Sequence, residues 1–207
     1  MIEDKIWKSN PDKYIIGSDE VGRGSFAGPI GAASVRVNYH HISLLADVKD
    51  SKKLSPKKRN SIFELVQKNE IEFSYMERDN KFIDLYGIKL ANEKVLEDSI
   101  SSVFHHGDIV YVDHFKISKF NAVSLIRGED NCRPIALASI IAKVLRDKFM
   151  VEISNKYNKY AFEKNKGYGT KEHRLAIQKY GLSDLSLIHI SEPHETKANR
   201  VCRRRRE

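Results

Sequence analysis

The chain has 207 residues, enough for one domain with a sizeable core. Its 36 basic and 28 acidic side chains give a formal net charge of +8, which suits a polyanionic partner, although a basic protein without such a partner is the alternative. Two cysteines exclude a disulfide framework and favour a reducing cytoplasm, and no run of about eighteen apolar residues is present to span a membrane.

A strand-turn-strand pattern around two adjacent acids organises the N-terminal part of the chain. The segment Y-I-I-G-S-D-E-V-G-R-G-S-F-A-G-P runs from an apolar strand into Asp19 and Glu20, and then into Gly22, Arg23 and Gly24. Paired carboxylates beside glycines suit a metal ion and a close approach of the backbone to a ligand. The alternative is a hairpin whose turn happens to be acidic.

The segments on either side of this pattern are a polar arm at residues 1–13 and, further along, a helix. A serine followed by proline at position 56 predicts the helix start, and the helix would run to about residue 68. Lys52 and Lys53 precede it, and lysines beside a helix N-terminus form a ready phosphate site. A solvated basic loop is the alternative. Alternation over residues 70–77 then predicts a strand.

The middle of the chain adds a third acid at the end of a buried strand. Helical spacing over residues 85–104 predicts an amphipathic helix, and D-I-V-Y-V-D over 108–113 predicts a central strand covered on both faces. Asp113 ends that strand, where open α/β sheets place their ligand crevice. A further strand is expected near residues 122–126, and an almost wholly apolar helix follows Pro134.

Three polar residues share one stripe of that apolar helix. Ser139, Lys143 and Asp147 are spaced four residues apart, and a buried helix does not carry such groups without partners or a site. An internal ion pair between Lys143 and Asp147 is the alternative to a role in a site. In the following loop, N-K-G-Y-G-T, two glycines flank Tyr168, so that its ring can be held out rather than packed.

Four acids therefore lie at strand ends or on a polar helix stripe: Asp19, Glu20, Asp113 and Asp147. Two such charges about 4 Å apart repel by about 4 kcal/mol at an effective dielectric of about 20, so the four could stay ionised together only around divalent cations. All-oxygen ligation indicates Mg²⁺ or Mn²⁺ rather than zinc. Two such ions about 3.5–4 Å apart would clamp the attacking and leaving oxygens of a phosphodiester.

Five motifs occur in the order typical of one nuclease family: S-D-E-V-G-R-G-S-F-A-G-P, D-S-K-K-L-S, Y-V-D, A-S-I-I-A-K-V-L-R-D and N-K-G-Y-G-T-K-E-H. Over residues 14–184 the chain resembles bacterial ribonuclease HII, the type 2 ribonuclease H family. The resemblance implies an α/β fold of the ribonuclease H type, with a five-stranded mixed β-sheet flanked by α-helices. It also implies hydrolysis of the phosphodiester on the 5′ side of a ribonucleotide, leaving 3′-hydroxyl and 5′-phosphate ends.

The resemblance assigns roles to individual residues. The four acids named above would bind metal and carry the catalysis, the glycine-arginine-glycine segment would recognise the ribose 2′-hydroxyl, and the loop tyrosine would stack on the deoxyribose beyond it. The substrate-binding residues are then expected to be Gly22, Arg23, Gly24, Lys52, Lys53, Ser139, Lys143 and Tyr168. His114 stands where the family usually has glycine, and would either crowd the site or alter a turn.

The resemblance also implies partners and a biological role. We expect RNA–DNA hybrids and duplex DNA holding single ribonucleotides as substrates, no membrane association, and a cytoplasmic monomer that removes ribonucleotides misincorporated in DNA. Another carboxylate nuclease of this fold, such as a junction resolvase, is one alternative, and the glycine-arginine-glycine segment and the loop tyrosine argue against it. A binding module without turnover is the other, and the four acids argue against that.

The last stretch, residues 185–207, differs from the rest of the chain. It has no clear period, ends in four arginines and one glutamate, and resembles the translation of a transposase adapter used in preparing sequencing libraries. We therefore expect a catalytic domain over residues 1–184, with the native C-terminal helices cut off after it, and a non-native, disordered tail over 185–207. The terminal arginines are not taken as a nucleic-acid-binding tail.

Overall fold

The computed structural model describes residues 1–45, 48 and 54–188 of the chain. Within this part, five strands form one mixed sheet in the order β3-β2-β1-β4-β5. The strands are β1 (Ile15–Val21), β2 (Ile30–Val37), β3 (Phe73–Arg78), β4 (Ile109–Asp113) and β5 (Val123–Leu125). β2 runs antiparallel to β1 and β3, whereas β1, β4 and β5 run parallel to one another. The predicted five-stranded mixed sheet is confirmed.

Helices cover both faces of this sheet. They are α1 (Ile2–Ser9), α2 (Ile42–Leu45), α3 (Pro56–Lys68), α4 (Asn80–Tyr86), α5 (Ile88–Val103), α6 (Gly128–Asn131), α7 (Arg133–Ser154), α8 (Phe162–Asn165) and α9 (Lys171–Tyr180). The helix predicted over residues 85–104 starts later, because Gly87, with φ +83°, separates α4 from α5. Residues 1–13 are not a polar arm, since α1 buries Trp7 in the core.

The alternation of β1 divides the core into two layers. Ile15 packs on the side of the sheet covered by α7, and Ile16 packs on the side covered by α5. Between Ile16 and the acids, Gly17 lets α7 approach the strand, because a Cβ there would lie 2.1 Å from the carbonyl carbon of Pro134. The helix start is thereby held against the strand that carries Asp19. Among the described helices, none combines the length and apolar character that a bilayer crossing needs.

Residues 185–188 are part of the folded body. Gly28 N donates a hydrogen bond to Leu185 O at 2.9 Å, and Leu187 N donates one to Phe26 O at 2.9 Å. The Leu187 side chain is buried against the α5 side of the core. The predicted tail therefore begins too early at residue 185, because an apolar side chain and backbone hydrogen bonds fix its first residues; residues 189–207 lie outside the described part.

Candidate active site

Three carboxylates meet at the carboxyl edge of the parallel strands. Asp19 extends from β1, Asp113 ends β4, and Glu129 extends from α6, and a ligand oxygen of each lies within 4.8 Å of the others. The first two come together because Ser18 pairs with Val112 in the parallel register, so the next residue of each strand is an acid. They line an open cavity of about 340 Å³.

Glu129 was not predicted from the sequence, and a short turn places it in the cluster. β5 ends at Leu125, Arg127 adopts a left-handed conformation with φ +54°, and Gly128 N donates a 2.6 Å hydrogen bond to Asp113 Oδ1. Because β5 is the parallel neighbour of β4, the turn after it lies at the same edge of the sheet. An acid four residues after the end of that strand, in the turn that follows it, was the sequence signal for this residue.

The electrostatics of the cluster favour a bound cation. Burial raises the pKa of Asp19 well above its ordinary value, and a hydrogen bond with Ser139 lowers it only in part. The charges of Glu129, Glu20 and Asp113 raise it further. Burial likewise raises the pKa of Glu20, against the nearby charge of Arg23. Carboxylates that are costly to ionise in the metal-free protein are stabilised when a cation shares their charge.

Glu20 lines the same cavity from β1 but stands outside the group of three. Its Oε1 lies 3.6 Å from Arg23 Nη1. Its Oε2 is buried and accepts no hydrogen bond from the described residues. A buried carboxylate oxygen without a donor is an available ligand atom, so the residues present fit a divalent cation.

Asp147 is not brought into the cluster. Its Oδ1 accepts a 2.8 Å hydrogen bond from Lys143 Nζ, and the side chain lines a neighbouring groove between α3 and α7. The prediction that Asp147 joins the other acids is wrong for a geometric reason. Ser139 is the residue of the stripe that contacts Asp19, and Asp147 lies eight residues, about 12 Å, further along the helix axis.

Two cations from facing helices line the acidic cavity. Lys143 extends from α7 and Arg59 from α3. The sequence analysis named Lys143 as a candidate substrate-binding residue and did not name Arg59. Arg59 Nη1 donates a 2.6 Å hydrogen bond to Leu54 O, which ties it to the segment before α3. The predicted phosphate contacts Lys52 and Lys53 lie outside the described residues.

The residues predicted to recognise the sugars of the substrate lie beside the acids and form the rim of the cavity. Gly22 has φ +91°, Gly24 has open space where a Cβ would stand, and Arg23 is half exposed. Tyr168 forms an isolated antiparallel β-bridge with Ser25, the residue after Gly24. The centre of its ring lies 5.3 Å from Lys143 Nζ. The glycine-arginine-glycine segment, the tyrosine and the cavity lysine are therefore contiguous.

Comparison with known proteins identifies the family. The family model for ribonuclease HII matches residues 16–194, which reaches past the boundary predicted at residue 184. The chain belongs to the ribonuclease HII family. A ribonuclease HII of Caldicellulosiruptor bescii is 44% identical over 189 residues, 90% of each chain, and one of Rickettsia bellii is 42% identical over 85% of this chain and 89% of the relative. The predicted endoribonuclease function is confirmed, and neither alternative is favoured.

Solved structures support the fold. The chain superimposes on the ribonuclease HII of Archaeoglobus fulgidus, solved in complex with PCNA, with a TM-score of 0.73, 21% identity and coverage of 84% and 92% of the two chains. Ribonuclease H2 of Pyrococcus horikoshii gives 0.69, 20% identity and coverage of 93% and 98%. Bst-RNase HIII in complex with Mn²⁺ gives 0.64, 18% identity and coverage of 86% and 74%. These likenesses confirm the ribonuclease H-type fold.

His114, the residue after Asp113, lies in a turn. His114 adopts φ +49°, is exposed, and donates its backbone N–H to Leu125 O at 2.9 Å. The left-handed conformation explains why glycine suits this position, since only glycine adopts it without steric cost. The His114 side chain is not among the residues that line the acidic cavity.

Proposed function

We propose that this ribonuclease HII-family chain hydrolyses the phosphodiester on the 5′ side of a ribonucleotide in duplex DNA and in RNA–DNA hybrids. The observation that carries the proposal is the contiguity of three elements: the acid cluster, the glycine-arginine-glycine segment and Tyr168. The first suits phosphodiester hydrolysis, and the other two suit recognition of a ribose. The products would carry 3′-hydroxyl and 5′-phosphate ends.

We propose Asp19, Asp113 and Glu129 as the metal-binding residues, with Glu20 supplying a further carboxylate. The set consists of oxygen donors only, which suits Mg²⁺ or Mn²⁺, and the Mn²⁺ complex of Bst-RNase HIII supports this choice. Bound there, divalent cations would neutralise charge on the phosphodiester and activate the attacking water. Asp147, the fourth acid expected from the sequence, is proposed instead as the partner that orients Lys143.

The other side chains of the cavity would bind and orient the substrate. Ser139 bonds to Asp19 and would hold that carboxylate in one orientation. Lys143 and Arg59, on facing helices, would bind the phosphate groups that flank the scissile bond. Lys52 and Lys53 are proposed as further phosphate contacts on sequence grounds alone.

The rim would supply the specificity. Gly24 faces open space, so its backbone is accessible to a ribose 2′-hydroxyl, while Gly22 shapes the turn and Arg23 is placed for the adjacent phosphate. Tyr168 would stack on the neighbouring sugar. A site built to hydrogen-bond one hydroxyl rejects the analogue lacking it by about 10⁴-fold or more, because its own polar groups are then left unpaired.

We further propose that residues 1–188 act as one catalytic domain, as a monomer, in the cytoplasm. Cys132 is a buried free thiol, as expected for a reducing compartment. The corresponding role is the removal of ribonucleotides from DNA, which requires that the protein share a compartment with the DNA.

The test is an end analysis of the products from a DNA duplex holding one ribonucleotide. With Mg²⁺ or Mn²⁺ we expect a single cut on the 5′ side of the ribonucleotide, a product that a polymerase can extend from its 3′-hydroxyl, and a 5′-phosphate that a ligase accepts. With EDTA we expect no cut. Cleavage that persists in EDTA, or that leaves a 2′,3′-cyclic phosphate, would overturn the metal-assisted mechanism.

A further inference from the structure

Arg146 is a fully buried arginine in the middle of α7 that hydrogen-bonds to backbone carbonyls. Its Nε donates to Pro29 O at 2.8 Å, its Nη1 to Lys166 O at 2.9 Å and its Nη2 to Ala27 O at 3.3 Å. Burying a guanidinium is costly unless its donors are satisfied, so such a side chain indicates a specific task. The residues that it contacts indicate what that task is.

The three carbonyls lie next to the two groups of residues proposed to recognise the substrate, the glycine-arginine-glycine segment and Tyr168. Ala27 and Pro29 follow the glycine-arginine-glycine segment, and Lys166 lies two residues before Tyr168. Between them the segments share the hydrogen bond from Phe26 N to Gly167 O at 2.8 Å. The guanidinium carbon of Arg146 also lies 5.3 Å from the centre of the Tyr168 ring. The Arg146 side chain thus hydrogen-bonds to the backbone on both sides and connects the two segments.

The glycines of the first segment separate into two roles around this arginine. A Cβ at Gly22 would lie 2.5 Å from Arg146 Nε and 2.6 Å from Pro29 O, so this glycine makes room for the hydrogen bond between them. At Gly24 a Cβ would meet nothing within 4 Å. The first glycine therefore admits Arg146, and the second leaves the backbone open toward solvent.

We propose that Arg146 is a positioning residue for substrate discrimination. It would fix the distance between the segment that reads the 2′-hydroxyl and the tyrosine that stacks on the next sugar, so that one ribose and its neighbour are read together. This inference rests on the proposed function. Lysine cannot replace it, because a single ammonium lacks the planar fork that reaches three carbonyls at once.

The test compares two substrates whose cleavage requires the same metal site. A DNA duplex with one ribonucleotide presents a deoxyribose for Tyr168 to sense, whereas a uniform RNA–DNA hybrid does not. We expect Arg146→Lys to lower the ratio of kcat/KM on the first substrate to that on the second by about tenfold or more, since a misplacement of about 1 Å at a site costs up to about 100-fold. The stabilisation of the protein by Mn²⁺ should stay unchanged.

Arg36→Lys is the matched control. Arg36 is also largely buried and hydrogen-bonds Asp108 and Glu72. It lies near the C-terminal end of β2, and the site lies at the opposite end of that strand, where Gly31 is. It should lower the melting temperature without changing the substrate ratio. If Arg146→Lys does not fold, Arg146→Gln, which removes the buried charge, takes its place in the same comparison.

A double-variant cycle separates positioning from general stability. If Arg146 acts through Tyr168, then Arg146→Lys should lower the ratio no further in a Tyr168→Ala background. Equal losses on both substrates, an unchanged ratio, or full additivity with Tyr168→Ala would each overturn the inference. If the wild-type protein cuts all-DNA duplex as well as the ribonucleotide-containing one, the proposed function itself fails, which is a distinguishable result.

Discussion

Exchanging the carboxylate of Glu129 for an amide tests the metal site that the structure defines. Glu129→Gln keeps the shape of the side chain and removes one of the three carboxylates whose oxygens lie within 4.8 Å of one another. At an effective dielectric of about 20, two unit charges at that distance repel by about 3.5 kcal/mol, although solvent in the open cavity screens part of this. The metal-free variant should therefore melt at the same temperature as the wild type or higher.

The metal response should change in the opposite direction. A cation at 100 times its dissociation constant stabilises the folded protein by about 2.7 kcal/mol, or about 5–11 °C for a chain of this size. The wild type should show this shift between EDTA and millimolar Mg²⁺ or Mn²⁺, and Glu129→Gln should lose most of it together with cleavage. A variant that is merely destabilised would instead melt lower in both conditions.

Asp147→Asn is the matched control, because it removes an equal charge from outside the cluster. Asp147 is partly exposed and pairs with Lys143, so its loss should change stability by no more than about 1 kcal/mol and leave the metal-induced shift intact. Differential scanning fluorimetry of the three proteins with and without metal makes the comparison. A wild-type shift in Glu129→Gln, or a lost shift in Asp147→Asn, would refute the assignment.

Three further outcomes are expected. Tyr168→Ala should lose most cleavage of a duplex with one ribonucleotide while keeping the metal-induced melting shift; retained cleavage would exclude a role for the ring. Burial lowers the pKa of His173, which contacts Tyr168 O, below its ordinary value. Urea unfolding should therefore show full stability above pH about 6.5 and a loss as pH falls below it, absent in His173→Gln. Deleting residues 189–207 should leave melting and cleavage unchanged, whereas deleting 185–207 removes buried Leu187 and should lower the melting temperature by about 3–12 °C; equal melting of the two would contradict this.

The sheet and most of its helices could be predicted because their signals are local. The apolar run into Asp19, the buried strand ending at Asp113 and the proline-led helix after it each report their own conformation. The α4–α5 break was missed because the helical spacing continues through Gly87. The docking of α1 was missed because the burial of Trp7 depends on a surface formed by distant parts of the chain.

The candidate site shows where such signals stop. Helical periodicity placed Ser139, Lys143 and Asp147 correctly on one stripe, but it gives direction around the helix and not position along its axis against the sheet. The structure supplies that position, with Ser139 at the acids and Asp147 about two turns away. Glu129 lacked a periodic signal because it lies in a turn, and only the strand order shows that this turn ends at the same edge as Asp113.

The most direct measurement of the central claim is a side-by-side time course on two duplexes that are identical except for one ribonucleotide. With Mg²⁺ or Mn²⁺ present, cleavage should occur on the 5′ side of the ribonucleotide, and the all-DNA duplex should be cut about 10⁴-fold more slowly or not at all. Comparable cutting of both duplexes would contradict the account, because the open backbone at Gly24 and the ring of Tyr168 would then not distinguish ribose from deoxyribose.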